Sequence, residues 1–371
     1  MRKVIVAGHI CVDITPKFPD RKVSSVTQIF NPGKLIEVGD ADVHTGGAVA
    51  NTGLAMKILG ADVRLMGKIG KDAFGDMIMQ ILGEYGAQDG MIRTDESGTS
   101  YSVVLAVPGI DRMFLHNPGA NNIFHAQDIT PEALENAVLF HFGYPPLMAS
   151  MYENGGSELV SLMKRVHESG VATSLDLAAV DASSQAGRQD WKGILARTLP
   201  YVDIFVPSVE ELCFMLDRER FAAWQMRAAG ADITTLLDPE TDIRPLAQQC
   251  MDMGVKILLL KCGAPGMYCC CADEDTLRRI PDGPGIEAKA WSNFTRFEKS
   301  YVPDRILSGT GAGDTSIAAF LTAILDGYSP EDCLHLAAAE GASCVTAYDA
   351  LGGIRPLPEL KARIDRGWKK T

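Results

Sequence analysis

Short apolar runs alternate with longer helical patterns along most of this chain, and that alternation limits the possible folds more than any other feature. The runs at residues 4–8, 63–67, 138–142, 172–176, 204–206 and 257–260 read as strands, while 48–59, 159–169, 243–253, 313–326 and 330–347 carry helical spacing. Strands separated by helices pair in parallel and are covered on both faces. The expectation is therefore an α/β chain with a mainly parallel central sheet. Residues 14–43 and 99–117 break the pattern. The first stretch has prolines, glycines and short extended pieces, and the second reads as a hairpin around Pro108-Gly109. Together they predict a small β-sheet inserted in the core, serving as a lid or a dimer surface. Residues 272–305 form a second, irregular insertion. No interdomain linker stands out, so one domain spanning 1–371 is expected.

Composition excludes several function classes. An apolar share of 46% is enough for a sizeable core. A formal charge of −12 argues against non-specific nucleic-acid binding and against an anionic membrane surface, since both need a positive field. No run of about 18 apolar residues is present to span a bilayer. Met1-Arg2-Lys3 leads at once into a strand pattern rather than a signal peptide, so a cytoplasmic protein is expected. Cys269, Cys270 and Cys271 are consecutive and alternate faces on a strand, which does not suit a zinc site. Neither zinc nor a disulfide is expected.

The stretch Ser308-Gly309-Thr310-Gly311-Ala312-Gly313-Asp314-Thr315 runs straight into a helical pattern. A glycine-rich turn lets several backbone N–H groups point at one spot, and the helix adds its positive end there. That arrangement suits a phosphate. A carboxylate beside a phosphate is repulsive unless it takes a proton, so Asp314 reads as a general base, or else as an ordinary first-turn partner of the helix dipole. Upstream, Thr45-Gly46-Gly47-Ala48-Val49-Ala50-Asn51 combines close backbone approach with an amide able to donate and accept. It suits a polyhydroxyl ligand, or marks a plain turn into a helix. Asp13 follows the first strand, and ligands of open α/β sheets gather at the carboxyl ends of strands.

Asp13, the Gly46 to Asn51 segment and the Gly311 to Asp314 segment, with Leu59-Gly60-Ala61 and Gly67-Lys68-Ile69-Gly70-Lys71-Asp72-Ala73-Phe74-Gly75, resemble the ribokinase-like, or PfkB, family of carbohydrate kinases. The resemblance covers nearly the whole chain. It implies a three-layer α/β/α kinase domain that moves the γ-phosphoryl group of ATP to a hydroxyl of a small sugar, with Mg2+ screening the phosphates. On that resemblance Asp314 is the general base and Gly311, Ala312 and Gly313 form the anion hole. Asp13, Gly46, Gly47 and Asn51 would bind the sugar. Gly263, Gly266, Ser208 and Thr310 would border the nucleotide, and Glu211 would order the metal and its waters. Gly263 and Gly266 also fit a plain turn.

Two positions depart from the family pattern. Ser208 stands where the family usually has Asn, and Ser308-Gly309 where it usually has Asp-Thr. The second change weakens the expectation of a K+ site built from Thr310 and carbonyls at 347–353. For the acceptor, Arg112, His116, Asn117 and Pro118-Gly119-Ala120-Asn121 would border the sugar or end a solvated hairpin. Lys68 and Arg112 are the scattered cationic candidates for a sugar phosphate, so an unphosphorylated sugar is favoured. A nucleoside would need an aromatic wall, for which Phe18, Phe30 and Phe114 are candidates. A sugar- and nucleotide-binding sensor without turnover is the non-enzymatic alternative. A homodimer through the lid is also open.

Overall fold

The computed structural model describes residues 2–110 and 113–371, so Arg112 lies outside the described residues. In chain order its strands are β1 (Lys3–Gly8), β2 (Cys11–Pro16), β3 (Ala41–Gly46), β4 (Asp62–Met66), β5 (Lys68–Gly70), β6 (Ile92–Thr94), β7 (Tyr101–Leu105) and β8 (Met113–Asn117). They continue with β9 (Ala137–Gly143), β10 (Ala172–Leu175), β11 (Ile204–Phe205), β12 (Ile257–Lys261), β13 (Gly266–Cys271) and β14 (Thr295–Lys299). The central sheet has the order β14-β13-β12-β11-β10-β9-β1-β4, with parallel pairing from β4 to β12 and antiparallel pairing at β13 and β14.

Strand periodicity explains the three layers. Val4 and Val6 of β1 enter one apolar cluster, whereas Ile5 and Ala7 enter another. Ile257 and Leu259 of β12 divide from Leu258 and Leu260 in the same way. Side chains two apart share a face, so the two clusters lie on opposite sides of the sheet. The Ala48–Ile58, Ala312–Leu325 and Pro330–Cys344 helices cover one side. The Ser157–Glu168, Trp191–Thr198, Val209–Leu216 and Arg244–Asp252 helices cover the other. Every residue of the Ala312–Leu325 helix from Asp314 onward is buried, as expected for a helix between the sheet and further helices. Among the described residues no helix is long and apolar enough to cross a membrane.

The second sheet has the order β3-β2-β7-β8. Ile14, Val43 and Tyr101 pack with Phe74 and Met77 against the core on one of its faces, while Phe18, Val23 and Val107 form a small apolar cluster of their own. The sheet starts at Cys11 and returns through Gly46, outside the expected bounds of 14–43, so Asp13 and Gly46 belong to the small sheet itself. The hairpin expected at 99–117 is present as β7 and β8. Residues 272–305 are less irregular than expected, because β14 closes one edge of the central sheet. Its sequence Thr-Arg-Phe-Glu-Lys mixes charge with a single aromatic, a pattern tolerated at an edge and hard to distinguish from a loop.

The turn between β1 and β2 has a dedicated brace. Fully buried Asn121 accepts from the Ile10 N–H at 3.2 Å and donates to the Ile10 carbonyl at 2.9 Å, imitating a neighbouring strand. Removing the amide leaves two buried backbone groups unsatisfied. Asn121→Ala should therefore cost about 2–4 kcal/mol in urea denaturation; a loss near zero would mean that the turn is held by something else.

Glu340, fully buried on the Pro330–Cys344 helix, accepts from the Arg355 N–H at 3.3 Å through Oε2, while its Oε1 has no hydrogen-bond partner among the described residues. Burial pushes its pKa from 4.5 up to about 8, opposed by Arg355. Between those two values the folded chain holds a proton that the unfolded chain has lost, so stability falls as pH rises through this window. Glu340→Gln should raise the melting midpoint at pH 8 by about 1–3 °C and leave it unchanged at pH 4.5. Equal shifts at both pH values would contradict the assignment.

Candidate active site

Gly311 caps the Ala312–Leu325 helix with φ 77°, and a Cβ there would lie 2.2 Å from Ala350 Cβ, so both backbone and packing require glycine. Asp314 follows in the first turn with 5% exposure. Its Oδ2 accepts from Asn51 Nδ2 at 3.0 Å, and its Oδ1 accepts from Thr52 Oγ1 at 3.2 Å and from the Tyr144 hydroxyl at 2.6 Å. Asn51 and Thr52 arrive on the Ala48–Ile58 helix, and Tyr144 follows β9 in a left-handed conformation, φ 67°. A bulky residue held there is strained, which is common where a side chain must be aimed. Burial and the nearby Asp314 carboxylate push the Tyr144 phenol well above its ordinary pKa, so it remains a neutral donor.

The small sheet carries a polar row on one of its faces. Register places His44, Asp13, Ser102 and His116 opposite one another across β3, β2, β7 and β8, hence on one face. His116 Nδ1 lies 2.9 Å from Ser102 Oγ, and Cys11 Sγ donates to Asp13 Oδ1 at 3.3 Å. Burial raises the Asp13 pKa, with hydrogen bonds to it from Cys11 and Ser102 opposing the shift. A Cβ on Gly46 would lie 2.1 Å from Asp13 Oδ2, so the glycine makes room for the carboxylate. Gly47, at φ 85°, does the same for His9 Nδ1. The His9 ring centroid is 5.2 Å from that of His116 and 6.1 Å from that of Tyr144, and neither of its nitrogens has a hydrogen-bond partner among the described residues. Burial, with some help from His116, lowers its pKa to about 3, so the imidazole is neutral at working pH.

The ends of β10 and β12 and the start of the Val209–Leu216 helix bring Asp176, Lys261 and Glu211 near one another. Lys261 Nζ donates to Asp176 Oδ1 at 2.8 Å. Burial lowers the lysine pKa, but Asp176, Glu211 and Asp314 more than offset this, and the ammonium stays charged. Burial pushes the Asp176 carboxyl up, with Lys261 opposing, and its Oδ2 has no hydrogen-bond partner among the described residues. Ser208 and Glu211 close a reciprocal cap on the Val209–Leu216 helix. The Glu211 N–H donates to Ser208 Oγ at 3.3 Å and the Ser208 N–H to Glu211 Oε2 at 3.0 Å. This is the Ser-x-x-Glu capping pattern, visible in the sequence as Ser208-Val209-Glu210-Glu211.

The structure thus brings Asp13, Gly46, Gly47, Asn51, Gly311, Ala312, Gly313 and Asp314 to one place, with Asn51 turned onto the carboxylate of Asp314. Gly263 and Gly266 have internal reasons to be glycine. A Cβ on the first would lie 2.6 Å from Thr234 Oγ1, and on the second 2.0 Å from the Glu298 carbonyl of the neighbouring strand. The Thr310 carbonyl accepts from Cys344 Sγ at 3.5 Å, and the same thiol lies 3.6 Å from the Ala350 carbonyl, so it bridges two oxygens expected near a K+ site. Lys68 is tied to Asp128 at 2.7 Å and to the Ile123 carbonyl at 2.8 Å. Phe18 and Phe30 pack on each other inside the small sheet's own cluster, with ring centroids 6.1 Å apart. Sequence reasoning missed Thr52, Tyr144, Asp176 and Lys261. A signal existed for the last two, since each stands at the carboxyl end of an apolar run. Two surface hollows, of 310 and 390 Å³, include none of these residues, so the site is assigned from convergent polar groups and not from concavity.

A family model described as pfkB family carbohydrate kinase matches residues 1–355. The ribokinase of Arabidopsis thaliana is 24% identical over 341 residues, covering 91% of this chain and 76% of its own. A structure of Arabidopsis thaliana ribokinase complexed with ribose and ATP superposes with a TM-score of 0.70 at 22% identity, over 98% of each chain. A putative ribokinase II from E. coli in complex with ATP and Mg2+ gives 0.68 at 21% identity, over 99% of this chain and 100% of its own. At these identities the structural likenesses establish the ribokinase-like fold, and the family match establishes the class. The chain belongs to the pfkB family of carbohydrate kinases and is a sugar kinase.

Proposed function

We propose that this protein transfers the γ-phosphoryl group of ATP to a hydroxyl of a small neutral sugar, with Asp314 as the general base. The observation that carries this reading is a nearly buried carboxylate in the first turn of a helix, held by three donors from two distant segments. The first N–H groups of a helix have no acceptors within it and attract anions. A carboxylate set among them repels a phosphate unless it removes the acceptor's proton.

The reaction balances on these groups. The sugar oxygen attacks the γ-phosphorus, a new oxygen–phosphorus bond forms, and the bond to the bridging oxygen breaks with its electron pair left on ADP. The hydroxyl proton passes to Asp314, which Asn51, Thr52 and Tyr144 hold in position. The backbone N–H groups of Gly311, Ala312 and Gly313 face charge developing on the transferred group. Gly263, Gly266, Ser208 and Thr310 would border the nucleotide. Magnesium bound with ATP supplies charge screening to the phosphates. Glu211 would order that magnesium through its waters; among the described residues no three or more His, Cys, Asp or Glu side chains form a direct metal cage.

A neutral acceptor fits the polar row better than a sugar phosphate. His44, Asp13, Ser102 and His116 supply hydrogen bonds and no fixed positive charge. Lys68 is committed to Asp128. Phe18 and Phe30 pack against each other and leave a nucleoside base only Phe114, which is 58% exposed on the face that carries His116. Asp314→Asn should lower kcat by about two to four orders of magnitude while leaving sugar affinity, read by calorimetry, within a few-fold. Turnover equal to that of the native protein would remove Asp314 from the chemistry.

A further inference from the structure

We infer that Lys261 is a catalytic residue whose ammonium contacts the γ-phosphoryl group of the nucleoside triphosphate as it is transferred. The inference rests on the kinase reading above and adds a charged group to the anion hole.

Three observations lead to it. First, Lys261 ends β12, where its backbone N–H donates to the Pro207 carbonyl at 2.9 Å, so its side chain starts at the carboxyl edge of the sheet. Second, a Cβ built on Gly313 would lie 3.5 Å from Lys261 Cδ and 3.7 Å from Nζ, which places the ammonium against the first turn of the Ala312–Leu325 helix. That end of a helix is positive, and a cation belongs at the other end. Asp176, Glu211 and Asp314 keep the ammonium charged there, so it stands beside the helix N–H groups as a second positive feature for an anion. Third, a lysine ammonium has three donors. One is used on Asp176 at 2.8 Å, and the lysine side chain is 12% exposed against 1% for the aspartate, so solvent has little access to the pair.

The Lys261–Asp176 bridge explains how the cation tolerates burial, but not why it sits at the helix start. The contact with Gly313 is what a phosphoryl oxygen requires, namely a mobile point charge beside fixed N–H dipoles. During transfer, negative charge on the three non-bridging oxygens of the phosphoryl group is met from one side by the helix and from the other by Lys261. The proton still goes to Asp314 and the electron pair to ADP. Lys261 gives up no proton.

The test compares nucleotides that differ only in the γ-phosphoryl group. In the native protein and in Lys261→Met, affinities for ADP and for the non-hydrolysable β,γ-imido triphosphate are measured by calorimetry, and kcat is measured with the acceptor that the native enzyme turns over. Lys261→Met should lose about tenfold or more in triphosphate affinity with ADP affinity nearly unchanged, and about 10²- to 10³-fold in kcat, the usual loss on removing one stabilising donor. A bridge that only supports the fold would weaken both nucleotides alike, and that result would overturn the inference. If Lys261→Met fails to fold, Lys261→Gln takes its place, because its amide can still donate to Asp176 without carrying charge. The same selective loss is expected there. A native protein with no turnover on any sugar would remove the kinase reading. A turning-over native protein with an unchanged triphosphate-to-diphosphate ratio in the variant would remove Lys261 alone.

Discussion

A carboxylate with 5% exposure is costly unless its oxygens are satisfied, and Asp314 is satisfied by donors from two stretches far away in sequence. Asn51 and Thr52 come from the first α-helix of the fold and Tyr144 from just past the third strand of the central sheet in chain order. All three can reach Asp314 only if β1, β9 and the Ala48–Ile58 and Ala312–Leu325 helices meet at the carboxyl ends of the strands. Small residues make the approach possible. A Cβ on Gly143 would lie 2.1 Å from Ala48 Cβ, and one on Gly311 would meet Ala350. The sheet order, the buried helix and the strained Tyr144 are all consequences of bringing three donors to one acid.

Around that acid the charges divide by side. Toward the small sheet lie imidazoles, a hydroxyl and one carboxylate, a set suited to hydroxyl groups. Toward β10 to β12 lie two further carboxyls and a single ammonium, a set suited to a metal-bound polyphosphate. With a net charge of −12, the chain as a whole does not attract a nucleotide, so local features must do so. The helix start and Lys261 are the positive features of the site, and they stand beside each other. The neutral His9, buried between Gly47, His116 and Tyr144, joins the two sides without adding charge.

Much of this was legible before the structure. Strand and helix alternation identified the α/β core, since the apolar runs of parallel strands are short and continuous. The glycines before Asp314 marked the turn into a helix, and the structure shows that turn with Gly311 at its cap and Asp314 in the first helical turn. Three features were less visible. β14 is an edge strand whose charged residues hide its period. Tyr144 and Thr52 look like ordinary polar residues near strand and helix starts, and only the three-dimensional meeting shows that both touch one carboxylate. Ser208 and Glu211 were read for nucleotide and metal, whereas their Ser-x-x-Glu spacing also builds a helix cap that the structure displays. Local pattern reported the elements well; pairings between residues more than 100 positions apart left no periodic trace.

Phosphoryl transfer to a neutral sugar at Asp314 is tested by ADP release across a panel of neutral pentoses and hexoses, their phosphates, and nucleosides, each with ATP and magnesium, and with or without potassium. The expected result is turnover with a neutral sugar that is lost when that sugar is already phosphorylated. Turnover confined to a sugar phosphate or a nucleoside, or sugar binding with no ADP release from any member of the panel, would contradict the account.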